Sequence, residues 1–121
     1  MPMSTQQIAT RLADLCRRGE FETAQRELFA PDAVSIEPHE GPVFPKETKG
    51  LPAIIEKGHK WSSMVEQVHG CTASAPLIAG NTIALTLAMD LTMKGRGRMK
   101  MEEVGVYQVK DGKIASEQFF M

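Results

Sequence analysis

What this chain has little of narrows its class first. It carries two cysteines in 121 residues, Cys16 and Cys71, with no CxxC and no framework spacing. That excludes a small disulfide-stapled scaffold and fits a reducing compartment, where both thiols pack as small apolar groups. Charge of one sign is also lacking: 14 basic side chains face 15 acidic ones, interspersed along the sequence, for a formal net charge of -1. There is no basic stripe to neutralise phosphates, so no nucleic-acid partner is expected. No stretch has the apolar length that spans a bilayer, and residues 1–18 lack the uninterrupted apolar core of a secretory signal. The expectation is a cytoplasmic protein with no membrane partner. Metal-ligand spacing is missing as well, because His39, His59 and His69 form no HExxH or comparable pattern. There is no glycine-rich phosphate loop and no GxSxG elbow, so neither metal nor cofactor is expected. With no linker, repeat or low-complexity tract, residues 1–121 are read as one domain around one core.

What is present is clear periodicity. Ser4 and Gln7 have the form of a capping box, and Ile8, Leu12, Leu15 and Cys16 follow at helical spacing until Gly19 can close the helix. Phe21, Ala24 and Leu28 mark a short second helix that Pro31 should stop. A short strand is expected over Ala33 to Glu37, and Pro38, Pro42 and Pro45 then impose an irregular loop. Pro52 suits a helix start, with Ile54, Gly58, Trp61 and Val65 forming a seam that Ile55 widens. Glycine weakens a helix, so Gly58 is expected to admit the close approach of another element.

From Val68 the period changes to two. Residues 68–78 make a poor strand that Pro76 confines to an edge or a bend, and Gly80-Asn81 turns the chain. Thr82 to Met93 is the clearest strand, with large apolar residues alternating against Thr, Ala and Asp90. After KGRGR comes Met99 to Val109, where Gly105 is expected to mark a bulge. Asp111-Gly112 is a strong hairpin signal, since a type I′ turn needs positive φ. The last strand ends Phe119-Phe120. Helices first and an antiparallel meander later make an α+β domain with the helices on one sheet face.

LFAPDAVSIEP after two helices, the GLPAIIEKGHKW helix and the closing DGKIASEQFF together resemble the SnoaL-like branch of the nuclear transport factor 2-like superfamily, which includes polyketide cyclases and ketosteroid isomerases. The resemblance covers nearly the full length. It implies a cone-shaped cystatin-like fold, three N-terminal helices packed on a curved, mainly antiparallel sheet, with an apolar pocket and a homodimer formed through the sheet. In ketosteroid isomerases a carboxylate base followed by Pro lies just after the first strand, and Glu37-Pro38 stands there in this sequence. The family's helix-one Tyr falls at Leu12, which donates nothing. Its strand carboxylic acid falls at Val104, beside Glu103.

Glu37 and Glu103 are thus the candidate catalytic carboxylates. Glu102 and Glu103 must point to opposite faces, and the alternation Met99, Met101, Glu103 puts Glu103 inside. Trp61, His69, Met89, Met101, Glu117 and Phe119 are the candidate ligand contacts. Whether Glu117 and Phe119 or Gln118 and Phe120 face inward depends on a register the sequence does not show. Asp90 is expected to pair with Arg96, Arg98 or Lys100 across strands. The functional expectation is binding of an apolar or aromatic small molecule. Its alternatives are a cofactor-independent isomerase, cyclase or hydratase with a carboxylate base, and a protein-interaction module with a vestigial pocket.

Overall fold

A computed structural model describes residues 2–121. The elements run α1 (Thr5–Arg17), α2 (Phe21–Leu28), β1 (Phe29–Ile36), β2 (Glu47–Lys49), α3 (Leu51–Met64), β3 (Val65–Ala73), β4 (Leu77–Ala79), β5 (Thr82–Met93), β6 (Gly97–Lys110) and β7 (Lys113–Phe120). Local chemistry fixes several ends. The Ser4 hydroxyl accepts from the Gln7 amide at 3.1 Å while the Gln7 side chain accepts from the Ser4 amide at 2.8 Å, closing the capping box. Asp111 (φ 52°) and Gly112 (φ 75°) are both left-handed, as a type I′ hairpin between β6 and β7 requires.

The strands form one curved sheet in the order β2-β1-β7-β6-β5-β3, with β4 pairing beside β5. All pairings are antiparallel except β1 with β7. The hairpin of β6 and β7 therefore sits in the middle of the sheet, and the first strand returns to its side in parallel. The core lies between the helices and the inner sheet face: Ile8, Leu12 and Leu15 of α1, Leu28 of α2 and Ile54 of α3 pack with Ile83, Leu85, Leu87, Tyr107 and Ile114. Every second residue of β5 supplies that face, as the alternation demands.

Four local expectations are corrected. The first strand begins at Phe29, with Pro31 inside it rather than ending the helix. The missing proline amide is tolerated because the β1–β7 register breaks between Phe29 and Val34. The strand after α3 starts at Val65 instead of Val68, and Pro76 falls in the gap before β4. Gly105 carries no bulge, since β5 and β6 pair without interruption from Thr82↔Gln108 to Met93↔Gly97. Its role is steric: the Tyr107 ring folds back over it, and a Cβ there would lie 2.9 Å from the tyrosine hydroxyl oxygen. Gly58 meets no neighbouring element among the described residues, because a Cβ built on it finds no atom of another element within 4 Å.

Candidate functional site

A cavity of about 410 Å³ lies between the three helices and the inner sheet face, with a mostly apolar lining. Its exposed lining residues, Gly19, Glu20, Glu22, Thr23, His59 and Ser62, place the mouth between α3 and the α1–α2 turn with the start of α2. Across that mouth His59 Nε2 meets Glu22 Oε1 at 2.5 Å. Phe44 and Trp61 stand on the α3 side with ring centroids 6.4 Å apart, and Tyr107 and Phe119 meet edge to face at 6.4 Å.

Strand parity brings a polar cluster into this apolar space. On β1, Ala33 and Ser35 are buried, and Glu37 continues their face just past the strand end, its amide donating to the Lys46 carbonyl at 2.7 Å. On β6, Met101, Glu103 and Tyr107 line the cavity together, and on β7 Glu117 and Phe119 do so. Glu117 is the register partner of both Ser35 and Tyr107. From α3, Lys57 donates through Nζ to Ser35 Oγ at 2.8 Å and to Glu37 Oε1 at 3.3 Å. The Ser35 hydroxyl also favours the ionised form of the Glu117 carboxyl, its cross-strand register partner. One ammonium thus faces three carboxyl groups.

Burial sets their protonation. Desolvation pushes the Glu103 carboxyl up to about 7, the Glu37 charge adds to the rise, and Lys57 opposes it. Glu117, 5% exposed, is likewise pushed up to about 7 by desolvation, against the opposing Ser35 hydrogen bond and Lys57, with Glu37 and Glu103 adding to the rise. Tyr107 is raised well above its ordinary value, first by burial and then by Glu117, Cys16 and Glu103, so its phenol remains a donor at neutral pH. Cys16 also lines the cavity, but burial pushes its thiol up to about 12, which removes it as a nucleophile. Among the described residues no group of three or more His, Cys, Asp or Glu side chains is arranged to hold a metal ion.

The structure brings Glu37, Trp61, Met89, Met101, Glu103, Glu117 and Phe119 to this one cavity. His69 does not join them. It is exposed on β3 and its Nε2 lies 2.6 Å from Thr92 Oγ1, on the Thr/Ala face of β5 that points away from the helices. The cause is the β3 register shift between Val68 and Gly70. Sequence reasoning missed Ser35, Lys57 and Tyr107. Tyr107 shares parity with Glu103, and Lys57 sits three residues after Ile54 and four before Trp61 on the helix seam, so both signals were present.

A mixed, mostly antiparallel sheet curved around helices and a cavity is the architecture of the cystatin-like, nuclear transport factor 2-like class. Within that class the chain belongs to the SnoaL-like family, whose domain model matches residues 3–121. A candidate SnoaL-like polyketide cyclase from Mesorhizobium loti is 34% identical, with a TM-score of 0.90 covering 98% of this chain and 100% of that one. A cystatin-like protein of unknown function from Xanthomonas campestris superposes with a TM-score of 0.79 at 20% identity, covering 98% of this chain and 90% of that one. A protein of ketosteroid isomerase-like fold from Catenulispora acidiphila, in complex with trimethylamine, gives 0.73 at 18% identity, covering 98% and 87%. These last two share the fold. No functionally curated protein matches the sequence significantly.

Proposed function

We propose that this protein binds an apolar, ring-bearing carbonyl compound in the cavity and moves a proton on it without a cofactor. The observation that carries the proposal is the placement of Glu103 and Glu117, beside Tyr107, in a mostly apolar cavity. A carboxyl group titrating near the working pH is suited to take and return a proton, and neutral donors suit an oxygen on which charge develops. In this scheme ionised Glu103 removes a proton from the carbon next to the carbonyl, while protonated Glu117 and Tyr107 offer hydrogen bonds to the carbonyl oxygen. Glu103 then returns the proton. Glu37, paired with Lys57 at 3.3 Å, holds the cation that balances the cluster.

The test is deuterium exchange on β-tetralone, an aromatic ketone with acidic C–H bonds beside its carbonyl. In D2O the protein should accelerate loss of those proton resonances above the buffer rate at pH 7. A ligand-dependent rise in Tm without exchange would reduce the protein to a binding protein, since affinity for the native state raises Tm whatever the chemistry. Neither effect would return the cavity to a vestigial role.

The same proposal includes a homodimer through the outer sheet face. Two mainly apolar cross-strand rows lie there, Phe120–Val104–Thr86 and Gln118–Val106–Ala84–Leu77, with Leu77, Val104 and Phe120 exposed. Four residues further along β5 from Thr86, on the same face, Asp90 accepts two hydrogen bonds from Arg98, at 2.9 and 2.8 Å. Light scattering should give twice the chain mass, and Val104→Lys should give one chain mass; a monomeric parent protein would overturn the dimer.

A further inference from the structure

We infer that Gly58 sets the size of ring the cavity accepts, an inference that rests on the proton-transfer reading above. Gly58 lies in the interior of α3, one turn after Ile54, which is fully buried, and three residues before Trp61. That spacing places it on the inward side of the helix, and it lines the cavity together with both of those residues. Glycine is among the most helix-weakening residues, so its presence in a helix interior calls for a reason.

The two ordinary reasons are absent. Gly58 is not among the positive-φ glycines, so the backbone does not demand it. Beyond its chain neighbours and its own helix backbone, a Cβ built there meets no atom of the described residues within 4 Å, so close packing does not demand it either. An inward-facing position with no neighbour is a piece of cavity wall left bare. Helical side chains lean toward the preceding turn, so a larger residue at 58 would fold over Ile54 and Ile55 and fill the space between them and Trp61. The missing side chain is therefore cavity volume, held open at a cost in helix stability. The ligand class follows: a fused-ring or similarly extended apolar ketone that reaches along α3, in preference to a single small ring.

The experiment compares the parent protein with Gly58→Ala and Gly58→Leu. Gly58→Ala should raise Tm by roughly 3–5 °C, because it strengthens the helix without a clash. Gly58→Leu should lower the ratio of exchange rates on β-tetralone and cyclopentanone by roughly 10- to 100-fold relative to the parent, the range that a small change in pocket volume produces. Trp61 is the only tryptophan, so quenching of its fluorescence by β-tetralone reads binding independently of exchange. If the parent binds β-tetralone without exchanging it, proton transfer fails, and weaker quenching in Gly58→Leu still supports the size role. An unchanged ratio, or unchanged quenching, in Gly58→Leu would overturn the inference. So would a fall in Tm for Gly58→Ala, which needs no ligand and would mean that the wall is already packed.

Discussion

Glu103→Gln is expected to lower the β-tetralone exchange rate by roughly 10²- to 10⁴-fold, the usual contribution of a positioned general acid or base. The amide keeps the size of the carboxyl but takes up no proton near neutral pH, so binding, read from Trp61 quenching, should change far less. Loss in the rate with affinity retained is the signature of an interaction needed only in the transition state. The pH dependence sharpens the test. Exchange needs Glu103 ionised and Glu117 protonated, and both carboxyls are pushed up to about 7. The Glu103 charge disfavours ionisation of Glu117, so the form with Glu103 ionised and Glu117 protonated is the active one, and the rate should peak near neutrality and fall on both sides. Glu117→Gln replaces the protonated acid by a permanent neutral donor, and the alkaline limb should disappear. A Glu103→Gln rate within tenfold of the parent would place the chemistry elsewhere, and Glu37→Gln would be the next variant to measure.

Glu117 should also make the protein less stable as pH rises, the reverse of the behaviour of a salt-bridged carboxylate. Its ordinary value is 4.5 and its value in the folded protein is about 7. Below 4.5 both states hold the proton and Glu117 contributes no slope. Between 4.5 and 7 the unfolded chain has released the proton while the native state keeps it, so stability falls with rising pH. Above 7 both states are ionised and the loss is complete. For this nearly enclosed group the integrated loss is roughly 3 kcal/mol at most. Urea unfolding at pH 5, 6, 7 and 8 should show that decline, with Glu103 adding to it in the same direction. Glu117→Gln should flatten most of the slope and be the more stable form at pH 8, since an amide between Ser35 and Tyr107 carries no charge to desolvate. Equal slopes in the two proteins would show that Glu117 titrates at its ordinary value in the folded state.

Much of the fold is legible because its signals are local. The Ser4-Gln7 box, the Asp111-Gly112 turn and the alternation of β5 each sit within a dozen residues, where dihedral preference and side-chain period decide the outcome. The three-residue β2 was invisible, since so short a strand has no period to read. Pro31 misled for a related reason: its effect depends on whether the partner strand needs the missing amide, and that partner, β7, lies at the other end of the chain. Gly105 and Gly58 look alike in sequence, yet one makes room for the Tyr107 ring and the other leaves a cavity wall bare.

The candidate site divides along the same line. Parity alone put Glu103 with Met101 and put Glu117 with Phe119, but only the register of β7 between β1 and β6 turned the second pair inward. His69 was lost to the cavity by a register shift that no residue announces. By itself the sequence determined the order of elements, the turn geometry, the face each strand residue shares and the family the chain resembles, because these follow from backbone preference and side-chain period over short spans. The tertiary structure alone decided that β1 lies parallel to β7, that Lys57, Ser35 and Tyr107 meet three carboxyl groups, and that two of those carboxyls titrate near neutrality. Desolvation and apposition arise between segments far apart in the chain, and they exist only once the sheet has curved around its helices.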